Sequence, residues 1–183
     1  MPKLYTEHKG RVMSRDDRFK HVMAISLDPR TGYKEGVIRC ITSRSGDLAF
    51  KGNTDRSELH KVSGQTLENF KIGEKLNIKN EKEIIGGLID EGEDFIGLED
   101  PDIWIDEKTD LMHLYFTIPI ISKDKSKKEK AKIHLGHAVG HDLDSLEMTL
   151  PVLLGGGKFR AKEVSIAPVN KQGFRYNLIE SKD

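Results

Sequence analysis

The sequence predicts an all-β chain built from repeated four-stranded units, and three observations lead there. Apolar runs are short and rich in β-branched and aromatic residues, as in Ile103-Trp104-Ile105 and Leu114-Tyr115-Phe116; such residues suit a pleated, half-buried surface. Three segments repeat one strand, polar turn, strand plan. Helix-type periodicity is weak throughout.

The first repeat runs from His21 to Leu27, turns through Asp28-Pro29-Arg30-Thr31-Gly32 and returns from Gly36 to Thr42. The second runs from Asp100 to Ile105, turns over Asp106 to Asp110 and returns from Leu111 to Thr117. The third runs from Glu163 to Val169, turns over Asn170 to Gly173 and returns from Phe174 to Glu180. Asp, Asn, Gly and Pro supply the backbone angles and local side-chain hydrogen bonds that hairpin turns need. A second strand pair follows each of the first two hairpins. Ser57 to Val62 leads into Gly64 to Lys71, and Lys132 to Val139 leads into His141 to Met148.

Four-strand units in series predict propeller blades. The expected architecture is one partial β-propeller domain over residues 1–183, of about two and a half antiparallel blades. Residues 1–18 form an N-terminal extension, 19–80 blade 1, 97–154 blade 2 and 162–183 the first half of blade 3. A half-ring leaves strand edges unpaired, so a homodimer that completes the propeller is an expected assembly.

Composition narrows the function. Hydrophobic residues are 36% and charged residues 33%, enough for a core beneath a charged surface. Lys plus Arg and Asp plus Glu are both 30. That neutral balance argues against a nucleic-acid partner, which needs a basic footprint. Cys40 is the single cysteine and cannot form an internal disulfide, which fits a reducing compartment. No stretch approaches the roughly 20 apolar residues of a membrane helix. A cytoplasmic protein without a membrane partner is expected. The charged run Lys123 to Lys132 reads as a solvated loop of the second unit, and Gly155-Gly156-Gly157-Lys158 as an inter-blade connection lacking a phosphate-loop frame.

The most specific segment is Gly97-Leu98-Glu99-Asp100-Pro101-Asp102-Ile103. Two adjacent carboxylates at a strand mouth repel, and one pKa should rise. Such a place can tune an acid or orient a sugar hydroxyl. Among the histidines, His134, His137 and His141 cluster, with His113 on a neighbouring strand. His134 and His137 are an odd number of residues apart and face opposite sides of a strand, so no metal site is expected. Trp104 could stack on a sugar ring or lie between blades.

Glu99-Asp100-Pro101, followed by Asp102-Ile103, a turn and Leu114 to Thr117, resembles the second blade of five-bladed propeller glycosidases. The likeness is to the β-mannoside phosphorylase and mannosidase family (glycoside hydrolase family 130), whose motif is Gly-x-Glu-Asp-Pro-Arg. The segment Lys162-Glu163-Val164-Ser165-Ile166-Ala167-Pro168 resembles the next blade's opening, and equally that of the arabinanase and xylosidase propellers (family 43). The resemblance covers roughly residues 20–183.

It implies a glycosidase acting on a β-mannoside or related oligosaccharide by inverting acid/base hydrolysis, with no cofactor. Asp100 would orient the sugar and tune the acid, and Glu163 would be the general acid. Glu99, Asp102, His21 and Asp55 would contact substrate. Asp102 replaces the family's Arg, a phosphate clamp, which disfavours a phosphorylase. The first blade shows no obvious base; Asp16, Asp17, Asp47 and Asp55 lie nearby, with Asp55 expected in that blade's middle loop. A non-catalytic carbohydrate-binding fragment is the alternative.

Overall fold

A computed structural model describes residues 13, 15–45, 54–66, 69–124, 131–156 and 160–182. Residues 46–53, 125–130 and 157–159 lie outside them, with Asp47, most of the lysine run and Gly157-Lys158; so do 1–12 and 14 of the extension.

The chain is a partial β-propeller. The first sheet has the order β1 (His21–Leu27), β2 (Glu35–Ser45), β3 (Thr54–Gly64) and β4 (Phe70–Lys75), all neighbours antiparallel. A connection follows, with one short helix, α1 (Glu81–Gly86), and then β5 (Glu93–Phe95). The second sheet runs β6 (Glu99–Ile105), β7 (Met112–Ser122), β8 (Ala131–Gly140) and β9 (Glu147–Met148). β7 is long enough to take two partners on one edge: β6 pairs with its first half, and β5 with Ile120 to Ser122. β10 (Arg160–Ile166) and β11 (Asn177–Lys182) form a two-stranded half-blade.

Alternation along the strands sorts side chains to the two faces of each blade. Val37 and Leu59 of blade 1 meet Leu114, Phe116, Ile118 and Ala138 of blade 2 in the main core. Ile38, Cys40, Val62 and Phe70 form a second cluster on the other face of blade 1. Leu135 meets Ala161 and Val164 of the half-blade in a third. Blade 2 is therefore covered on both faces.

The outer strand pairs depart from expectation. The fourth strand of blade 1 starts at Phe70 rather than at Gly64, where β3 ends. In blade 2, residues 141–146 form a turn and β9 spans two residues. The reason is local hydrogen bonding. Asp142 Oδ1 accepts from the backbone N–H groups of Asp144 and Ser145 (both 3.0 Å), and Ser145 Oγ accepts from that of His141 (2.9 Å). These side chains satisfy backbone groups that a strand ladder would otherwise use. Asp55 lies on β3, not in a loop, because its neighbours pair with β2 from Thr54 onward.

A polar belt levels the inner strands. The backbone N–H of Ile103 on β6 donates to Ser26 Oγ on β1 at 2.9 Å. The Asp102 carboxyl takes hydrogen bonds from Ser26 and from the backbone N–H of Ile166 on β10. β1, β6 and β10 thus stand side by side. Each carries a register shift and one non-glycine residue in the left-handed region: Ala24 at φ 51°, Asp100 at φ 48° and Glu163 at φ 48°. The repeat is therefore conformational as well as compositional.

Gly97 precedes β6 at φ 109°, and a Cβ there would sit 1.8 Å from the Ser57 carbonyl oxygen. Gly97→Ala should lower stability by about 3 kcal/mol or more, since both the angle and the space are forbidden. Ala24→Gly should raise it by up to about 1 kcal/mol by relieving the left-handed strain. Urea unfolding of the two variants checks both signs.

Candidate functional site

The inner-strand corners bring distant acids together around two cations. Arg39 sits in the run Val37 to Ile41 on β2 and is 8% exposed. A guanidinium stays charged, so its burial requires anionic partners. It finds two across the blade interface. Arg39 Nη2 donates to Glu99 Oε1, and Nη1 donates to Asp100 Oδ1 at 2.9 Å. Its Nε donates to Ser57 Oγ at 3.0 Å, and the Ser57 hydroxyl donates to Glu99 Oε1 at 3.2 Å.

The other Asp100 oxygen, Oδ2, is buried and accepts no hydrogen bond. The Lys162 Nζ lies 3.8 Å from it. The same ammonium lies 2.7 Å from Glu163 Oε1. Lys162 therefore bridges the Asp100 and Glu163 carboxylates through one ammonium. The backbone N–H of Glu163 reaches Thr117 Oγ1 on β7 at 3.4 Å. Thr117 and Lys162 thus tie the Glu163 corner to the inner strands around it. Asp100 is 10% exposed at its side chain and Glu163 51%, so Asp100 is the walled-in member of the two and Glu163 the one that meets solvent.

The electrostatics follow from burial. Glu99 is the raised carboxyl of the adjacent pair. Burial is the largest cause, Arg39 opposes it, and the Asp100 charge adds a smaller push upward. Lys162 is raised: burial pulls it down, but Glu163, Asp100 and Glu180 outweigh that. Asp102 is raised by burial, against the bonds from Ile166 and Ser26.

The remaining site residues divide. Asp55 is gripped by Arg44 through Nε at 2.5 Å and Nη2 at 2.6 Å, and this pairing holds its carboxyl below the usual range. The charges of Arg39 and His21 lower it further, and His21 itself is exposed on β1. Asp102 instead turns into the seam between inner strands, bonded to both neighbours. Asp16 and Asp17 are held by Arg18 and Arg15. The blade 1 counterpart of Asp100 and Glu163 is Ala24, which brings no carboxylate.

Arg39, Lys162 and Arg44 are the cations that residue patterns did not single out. Arg39 carried a signal: a lone charge inside an apolar strand must have a counter-ion. Nothing in the sequence marked Glu99 and Asp100 as that counter-ion.

Trp104 is covered. The Arg175 guanidinium lies 3.7 Å from its ring centroid and His113 stacks at 4.8 Å. His113 Nδ1 and His137 Nε2 are 2.9 Å apart on the face of blade 2 that carries Tyr115, while His134 on the opposite face accepts at Nδ1 from the Gly155 N–H. Among the described residues no group of three or more His, Cys, Asp or Glu side chains converges as a metal site would require.

The chain matches no protein-family model, and no curated protein matches it.

Two stability effects of opposite sign are expected. Arg39→Met should destabilise by about 3–5 kcal/mol at neutral pH, because two buried carboxylates lose their cation. Glu99 is already raised, so the folded state holds its proton to higher pH than the unfolded chain does. The loss should therefore shrink as pH falls toward about 4, read from urea midpoints across pH. His137 behaves conversely. Burial, then the His113 charge, depress it from 6.5 to about 4. Below its unfolded value the unfolded chain gains a proton that the fold refuses. Wild-type stability should fall between about pH 6.5 and about 4, and His137→Gln should flatten that slope.

Proposed function

We propose that the chain acts on a β-mannoside or related oligosaccharide as an inverting glycoside hydrolase, with Asp100 and Glu163 as the central pair. The observation that carries this reading is the shared ammonium of Lys162, which touches carboxylates from two different inner strands. Asp100 orients a ring hydroxyl, which donates to its unpartnered Oδ2. Glu163 is the more exposed and donates a proton to the leaving glycosidic oxygen as that bond breaks. A water attacks the anomeric carbon from the opposite face, and its proton passes to Asp55, kept ionised by Arg44. Glu99 holds Arg39 and hence Asp100 in place.

Phosphorolysis is the weaker possibility. The residue after Pro101 is Asp102 rather than a guanidinium, and it is committed to the seam. One specific observation favours sugar binding without turnover: Ala24 occupies the first of the three corners, so blade 1 offers no acid at the matching position. The proposal is for a cytosolic protein; the lone Cys40 is buried, and burial pushes its thiol up to about 12, out of reach of exchange chemistry.

Aryl β-mannosides and α-arabinofuranosides, with and without phosphate, test the reading. Release should be independent of phosphate and should fall about 100-fold or more in both Asp100→Asn and Glu163→Gln. Release that survives both substitutions removes the pair from the chemistry. Sugar binding by calorimetry with no release at all selects the binding module.

A further inference from the structure

We infer that the outer face of the β10–β11 half-blade docks a second copy of this chain. The two copies meet face to face about a two-fold axis, with Phe174, Tyr176 and Leu178 at the centre. This stands apart from the hydrolysis reading and needs no part of it.

The two ends of the row of blades differ. At one end the outer face of blade 1 is already covered. Met13 and Phe19 pack there against Ile38, Cys40, Val62 and Phe70. Phe19 sets its ring edge-on to His60 at 4.8 Å, and Arg18 Nη2 donates to the Ile72 carbonyl of β4 at 2.8 Å. This cover acts as a cap and occupies the place a further blade would take. Two half-rings therefore do not close into one ring through this end.

The other end is bare. β11 pairs with β10 alone among the described residues. Alternation sorts the side chains of the returning chain. Arg175 lies over Trp104 of blade 2, and Ile179 sits opposite Val164, which packs with Leu135. Phe174, Tyr176 and Leu178 alternate with these and turn away from blade 2. They are 65%, 69% and 75% exposed. Ser165, exposed and opposite Leu178, completes the face. Single apolar residues on a surface need no explanation, but a row of three large ones marks a contact surface.

Size and charge select a second copy as the occupant. At about 200 Å² for a large side chain, the row exposes on the order of 400 Å² per copy. A standard interface buries about 800 Å² per partner, roughly 60% of it apolar. The row supplies most of that apolar share. A two-fold axis sets each residue near its own copy, so a charged face would repel itself. Phe174, Tyr176, Leu178 and Ser165 carry no charge. Arg175, held on Trp104 and paired with Glu107, fixes the hairpin before docking, which lowers the ordering cost.

Sedimentation equilibrium on the full chain tests this. The 20.7 kDa chain should sediment at twice its mass, with a Kd of about 1 μM or tighter. Tyr176→Glu and Leu178→Glu should each weaken the dimer about 100-fold or more, since each sets like charges across the axis. Both side chains are exposed in one copy alone, so circular dichroism of the variants should match the wild type. Met23→Glu, at an exposed position on β1, should leave the dimer intact. Cross-linking is an independent readout. Cys40 is buried, so Leu178→Cys supplies an accessible thiol, and a short bis-maleimide should join the two copies through it. Met23→Cys should give no such product. A monomer at about 100 μM overturns the inference. So does a dimer that survives both glutamate variants, or one joined through Met23→Cys, which would mean contact by way of blade 1. A ladder of higher oligomers also overturns it, because a two-fold contact closes on itself.

Discussion

Arg39 is the constraint on which the arrangement depends. A guanidinium in the middle of a buried strand cannot shed its charge and cannot reach water. It is tolerable only if another element delivers anions to it. Glu99 and Asp100, from the next blade, do so. The bond network therefore fixes how blade 2 sits on blade 1 and aims the Asp100 carboxyl at the same time. One Asp100 oxygen is consumed by Arg39, and the other is left facing Lys162. Stability and site geometry are the same interaction seen from two sides.

Strain is distributed in keeping with that. The inner strands place Ala24, Asp100 and Glu163 in left-handed backbone angles at equivalent bulges. Such angles cost a β-carbon-bearing residue about 1–2 kcal/mol each. They persist because the ladders on either side and the belt through Ser26, Asp102 and Ile166 over-determine them. A bulge re-aims the side chain it carries. At Asp100 and Glu163 the re-aimed groups are carboxylates that meet at one ammonium. At Ala24 the same backbone carries only a methyl group.

The rest of the molecule supplies rigidity. Two apolar interfaces cover blade 2, and tight glycines such as Gly97 and Gly155 let the inter-blade connections press against neighbouring strands. Arg175 closes over Trp104 and ties the half-blade's hairpin to Glu107 in the second blade's turn. The aromatic surface that could have met a sugar is used to hold the half-blade down.

Much of this was legible from residues alone. Short β-branched runs and repeated polar turns determined strand, turn and the four-strand period, because alternation and turn chemistry are local properties. The Glu99-Asp100-Pro101 segment marked itself as a mouth of unusual charge density. The short β9 was not legible, because side-chain bonds from Asp142 and Ser145 outcompete strand pairing there. Nor were the roles of Arg39 and Lys162 or the inward turn of Asp102. Each depends on a partner about 60 residues away in the chain or in a neighbouring blade. Local pattern determines which strands form. Only tertiary packing decides which charges share a dehydrated space, because their energies depend on distance and burial.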